Sequence, residues 1–106
     1  MNPASKYVQK GIRCGVLDDI YEERQRQVDV EGWTPEHDDE HSKGEMAQAA
    51  AAYAVSDTVY PHAQILWPWD EKWWKPTNRR RDLIKAAALI VAEIERLDRS
   101  DLTDKP

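Results

Sequence analysis

Between Pro76 and Pro106 the chain has neither proline nor glycine, and its apolar residues keep helical spacing through most of that interval. Leu83, Ala87, Ile90, Ile94 and Leu97 recur three or four residues apart, and Ile84, Ala88 and Val91 form a second stripe beside them. Such a pattern predicts one long helix, capped by Thr77 or Asn78, with two apolar faces to cover. No stretch of useful length alternates apolar and polar residues as a strand requires. The expected fold is therefore all-α: a small helical bundle of three main helices with a Trp/Pro-rich ordered loop, completed by homo-oligomerisation.

Two further helices precede the long one. From Val16 onward, Leu17, Ile20, Arg24, Gln27 and Val28 keep helical spacing, with Asp18 or Asp19 as the expected cap and a stop at Gly32. Arg24 and Gln27 lie near the apolar stripe, so they are expected to be partly buried or to reach a ligand, and Arg26 to be exposed. A second helix is expected from near Ser42, where Met46, Ala49, Ala50, Tyr53 and Ala54 share one face. Prolines at 61, 68 and 76 exclude a continuous helix in the segment between these helices and the last one. That segment is read as a loop held down by its own tryptophans. Residues 1–15 read as an N-terminal arm, 16–99 as a single helical domain and 100–106 as a flexible C-terminal tail.

A length of 106 residues allows one small domain, and the net charge of −5 argues against a general grip on nucleic acid. One cysteine, Cys14, leaves no intramolecular disulfide and has no neighbouring base to activate it. No apolar run is long enough for a membrane, and the first residues lack the apolar stretch of a signal peptide. A cytoplasmic protein without membrane contact is expected. The chain has no phenylalanine and five tryptophans, four of them within residues 67–74. A core so rich in alanine buries little area per residue, which leads us to expect a homodimer or higher assembly.

Two stretches hold the residue types that do chemistry. "EGWTPEHDDEH", Glu31 to His41, places His37 and His41 around Asp38, Asp39 and Glu40, and Glu45 follows His41 by one helical turn. Imidazole and carboxylate together suit a divalent cation such as Mn2+, Zn2+ or Mg2+. The same residues also suit capping and solvation of a helix start. The second stretch sets Trp67, Trp69, Trp73 and Trp74 beside Lys72, Lys75, Arg79, Arg80 and Arg81. Aromatic faces next to cations can stack a base and clamp a phosphate, although the tryptophans equally suit the bulk the core lacks. The expected ligand-binding set is Arg24, Trp33, Trp73, Trp74, Lys75, Arg79, Arg81 and Lys85.

The order of "EERQRQ", a Gly-Trp pair, a His-containing turn, "GEMAQAAAAYA" and "RRDLIKAAALIVAEIERLD" resembles that of the small MazG-like all-α NTP pyrophosphohydrolases of phage and bacteria. The resemblance spans about residues 17–99. In that family, four carboxylates on two helices hold Mg2+ ions that bridge the phosphates and activate a water. Carried onto this chain, Glu45 and Asp82 take two of those positions, His41 and Ser42 replace a glutamate pair, and Lys85 stands where the last aspartate belongs. The altered metal set implied is His37, Asp38, Asp39, His41, Glu45 and Asp82, with Mg2+ or Mn2+ as the cofactor. A lysine among the ligands repels a cation, so the leading expectation is a nucleotide or nucleotide-derived anion bound without turnover. By analogy with phage proteins, this would be a counter-defence protein that sequesters a signal. The alternatives are a metal-dependent NTP pyrophosphohydrolase and a module that inhibits a host defence protein.

Overall fold

The computed structural model describes residues 14–104. Among the described residues four helices follow one another: α1 (Cys14–Asp29), α2 (Pro35–Asp39), α3 (Glu45–Val55) and α4 (Arg79–Asp104), with 3-10 turns at Ala63–Leu66 and Glu71–Trp73 between α3 and α4. No strand occurs among the described residues, so the chain is all-α, with three long helices and a Trp/Pro-rich loop. α4 is the spine, against which α1, α2 and α3 all pack. The expected N-terminal arm lies outside the described residues except for Cys14 and Gly15, which already belong to α1. The expected tail is helical as far as Asp104, since nothing before Pro106 stops the helix.

Local rules account for the boundaries. Asn78 Oδ1 accepts from the Arg81 amide at 2.8 Å and caps α4. Gly32, in the left-handed region at φ 77°, turns the chain after α1. Helix α2 was not expected, yet its signal is local: Thr34 accepts from the His37 amide at 3.2 Å, and Pro35 occupies the first turn. Asp18 and Asp19, expected to cap α1, instead lie inside it because the helix begins at Cys14; Asp19 pairs with Arg80 at 2.6 Å.

Small residues bring α3 and α4 together. Ala49, Ala50 and Ala52 of α3 and Ala86, Ala88 and Ala92 of α4 are buried beside Met46 and Leu89. The loop supplies the missing bulk. Trp67 is buried against Tyr53 with ring centroids 5.3 Å apart, and Trp33, Trp69 and Trp74 pack around that centre.

The two apolar stripes expected on α4 divide between inside and outside, and the apolar stripe expected on α1 is corrected. The face of α4 that buries is the one carrying Ile84, Ala88 and Leu89, whereas Leu83, Ile90, Ile94 and Leu97 lie outward, between 42 % and 52 % exposed. Among the described residues, α1, α2 and α3 cover one stripe of α4 and leave the other at the surface. On α1, Leu17 and Tyr21 are exposed, and the buried residues are Glu23, Arg24 and Gln27. The polar face of α1 turns inward because α2 and α4 bring opposite charges to it, Asp38 to Arg24 and Arg81 to Glu23. Among the described residues no helix is long and apolar enough to cross a membrane.

Candidate functional site

Glu23, Arg26 and Gln27 follow the i, i+3, i+4 spacing that puts three side chains on one side of a helix. The Glu23 carboxylate is fully buried and accepts from Arg26 Nε and Nη2, both at 2.8 Å, from Gln27 Nε2 at 3.3 Å and from Arg81 Nη2. Arg26 also donates to Glu31 at 3.0 Å. Burial alone would raise the Glu23 carboxyl, but the hydrogen bond and charge of Arg26, with the charge of Arg81, hold it below the usual carboxylate range. One carboxylate thus ties α1 to the first turn of α4.

Beside this knot opens a hollow of about 260 Å3, walled by α1, by Arg81 and Lys85 of α4, and by Trp73 and Lys75 of the loop. Lys75 is pinned through its backbone, its amide donating to the Tyr53 hydroxyl at 3.2 Å and its carbonyl accepting from Lys85 Nζ at 2.6 Å. Lys85 also sits 5.3 Å from the Tyr53 ring, and burial lowers its ammonium below the ordinary lysine value. Four basic side chains and two carboxylates line the hollow, a basic excess in a chain whose net charge is −5.

A second hollow, about 320 Å3, is lined by Trp33, Trp69, Trp73, His37 and His41, with Glu31 and Asp70 at its polar edges. Trp33 stacks on His37 at 6.4 Å with 8° between the planes, His37 meets His41 at 4.8 Å, and His41 meets Trp69 at 5.1 Å. Helix α2 sets the histidines in place: His37 lies within it and His41 just beyond, so both rings face the loop tryptophans. Glu31, Trp33 and Trp73 belong to both hollows. The acidic histidine turn and the arginine-led start of α4 therefore line neighbouring hollows with three residues in common, a double cleft that is apolar and aromatic on one side and basic on the other.

Of the expected ligand-binding residues, Trp33, Trp73, Lys75, Arg81 and Lys85 line this cleft. Arg24 does not. Its guanidinium is buried against Asp38 at 2.8 Å and donates to the Trp33 carbonyl at 3.1 Å, locking α2 onto α1. Arg79 reaches the Ala54 and Ser56 carbonyls and satisfies the end of α3. Trp74 packs on Tyr53 at 4.8 Å as part of the core.

The expected metal ligands are dispersed. Asp38 pairs with Arg24, and Asp39 with Arg99 at 2.8 Å. Asp82, buried at the start of α4, accepts from the Thr77 amide at 2.8 Å. Glu45 accepts from the Lys43 amide at 2.6 Å and stands 3.5 Å from His41. Among the described residues no group of three or more His, Cys, Asp or Glu is placed to hold a metal ion. Each of these aspartates is instead held by a cation or a backbone amide.

Sequence reasoning missed Glu23, Glu31, Tyr53 and Asp70, and it placed Arg26 at the surface. The spacing of Glu23, Arg26 and Gln27 carried the signal. It reads as a solvated charged face until the basic start of α4 is known to lie opposite. Protein-family models, curated proteins and solved structures yield no match to this chain.

Proposed function

We propose that the two hollows act as one cleft and bind a nucleotide or a nucleotide-derived anion, without turnover. The observation that carries this reading is the sharing of Glu31, Trp33 and Trp73 by an aromatic hollow and a basic one. A planar base suits the flat walls of Trp33, Trp69 and Trp73, where stacking on an aromatic contributes about 1–3 kcal/mol. Phosphate suits Arg81, Lys75 and Lys85, which offer charge-assisted hydrogen bonds. Together the hollows reach the scale of small-molecule sites, about 300–1000 Å3. Binding without hydrolysis is favoured over pyrophosphohydrolase action because Asp38, Asp39 and Asp82 are committed to Arg24, Arg99 and Thr77. Calorimetry with a panel of ribo- and deoxyribonucleotides, with and without Mg2+ or Mn2+, tests the reading. Arg81→Ala is expected to weaken binding about tenfold to a hundredfold, as loss of a charge-assisted hydrogen bond does. No heat with any nucleotide sinks the reading, and pyrophosphate release would replace it with the enzymatic one.

We also propose that a second copy of the chain covers the outward stripe of α4. Leu83, Ala87, Ile90, Ile94 and Leu97 alternate steps of four and three, the spacing of a seam between two helices, and the first and the last three are exposed. A homodimer is the expected state in sedimentation velocity at micromolar concentration, with Ile90→Glu and Ile94→Glu converting it to monomer. A monomeric wild-type chain refutes this proposal.

A further inference from the structure

Gln27 is 1 % exposed, and its Oε1 is the one buried side-chain polar atom among the described residues that has no hydrogen-bond partner. Its orientation is set by its neighbour. Gln27 Nε2 lies 3.3 Å from the Glu23 carboxylate, which can only accept, so the amide nitrogen must face Glu23 and the oxygen must face elsewhere. Buried acceptors in folded proteins almost always find a donor, and an orphan calls for an explanation. The surrounding side chains provide none: Arg26 and Arg81 are already turned to Glu23. Gln27 lines the basic hollow, so the missing donor can come from whatever occupies that hollow.

Phosphate oxygens cannot fill this role, because ionised they only accept. The group needed is a hydroxyl or N–H carried next to the phosphate and away from the base. We infer that Gln27 accepts a hydrogen bond from a sugar hydroxyl and so makes the cleft selective for ribonucleotides over their deoxy counterparts. This rests on the nucleotide reading and adds the class of sugar. The chemistry is that of a site built to hydrogen-bond one substrate hydroxyl: an analogue without it leaves the buried acceptor unpaired and is rejected.

The test compares a 5′-ribonucleotide with its 2′-deoxy and 3′-deoxy forms by calorimetry on the full chain. The wild-type protein is expected to bind the ribonucleotide about tenfold more tightly than one of the two deoxy forms. In Gln27→Met, which keeps the length and loses the acceptor, the three ligands are expected to bind alike. Equal wild-type affinity for all three overturns the sugar selectivity and leaves the nucleotide reading standing. A preference that persists in Gln27→Met overturns the role of Gln27. Absence of binding by every nucleotide overturns both. If the variant fails to fold, equal wild-type affinity for the three ligands still overturns the proposal.

Discussion

Asp38→Ala is expected to destabilise the protein by about 3–5 kcal/mol, the cost of breaking a buried ion pair from one side. The side chains of Arg24 and Asp38 are 11 % and 2 % exposed, and their 2.8 Å contact is the main tie between α1 and α2. Without the carboxylate, Arg24 keeps only the Trp33 carbonyl and a 3.5 Å approach to Glu95. For a fold stabilised by about 5–15 kcal/mol, that is a large share. Urea unfolding at pH 7 reads it, and a loss below about 1 kcal/mol would show that the pair adds nothing net.

The reciprocal change carries a pH signature. Burial raises the Asp38 carboxyl above its ordinary 3.8, although the charges of Arg24, His37 and Arg99 pull it down. In Arg24→Leu the first of those charges is gone, so the carboxyl rises further. A raised folded value means that stability is full below the unfolded value and is lost as pH rises through the folded one. The deficit of Arg24→Leu relative to the wild type is therefore expected to narrow as pH falls from 7 toward 4. A constant deficit across that window refutes the account.

Trp67→Ala is expected to cost about 3–5 kcal/mol and to abolish ligand binding even where the fold persists. Trp67 is buried and contacts Tyr53, Trp69 and Trp74 with ring centroids 5.2–5.3 Å apart. Its indole N–H also donates to the Asp70 carbonyl at 3.1 Å and so shapes the turn that carries the cleft wall. Removing it opens a cavity in the core and unseats Trp69 and Asp70 together. Trp73 provides the contrast. It is 42 % exposed, flanked by Lys72 and Lys75 at 5.5 Å and 5.4 Å, and shared by both hollows. Trp73→Ala is expected to leave stability within about 1 kcal/mol of wild type while weakening nucleotide binding. If Trp67→Ala unfolds no more easily than Trp73→Ala, the division between core and cleft tryptophans fails.

Much of this protein is legible in one dimension. Helical spacing marks α4, its cap at Asn78 and the buried stripe of α3, because each depends on residues within a turn or two of one another. The prolines at 61, 68 and 76 mark the loop for the same reason. The aromatic and basic character of that loop, and the two histidines ahead of α3, point to a ligand before any contact is known.

What stayed hidden was which partner each charged or apolar group would meet. An acidic stretch reads alike whether its aspartates gather round a cation or separate to Arg24 and Arg99, since the arginines lie 14 and 60 residues away along the chain. The faces of α4 were equally ambiguous: two apolar stripes were visible, and only the placement of α1 and α3 decided that Leu83, Ile90, Ile94 and Leu97 would stay outside. The three long helices, the loop and the supply of tryptophan and arginine follow from the order of the amino acids. That Glu23 knots α1 to α4, and that a basic hollow lies beside an aromatic one, follows only from the packing of the folded chain. Backbone geometry and short-range spacing suffice for the first, whereas the second depends on charges brought within hydrogen-bonding distance only when distant segments pack.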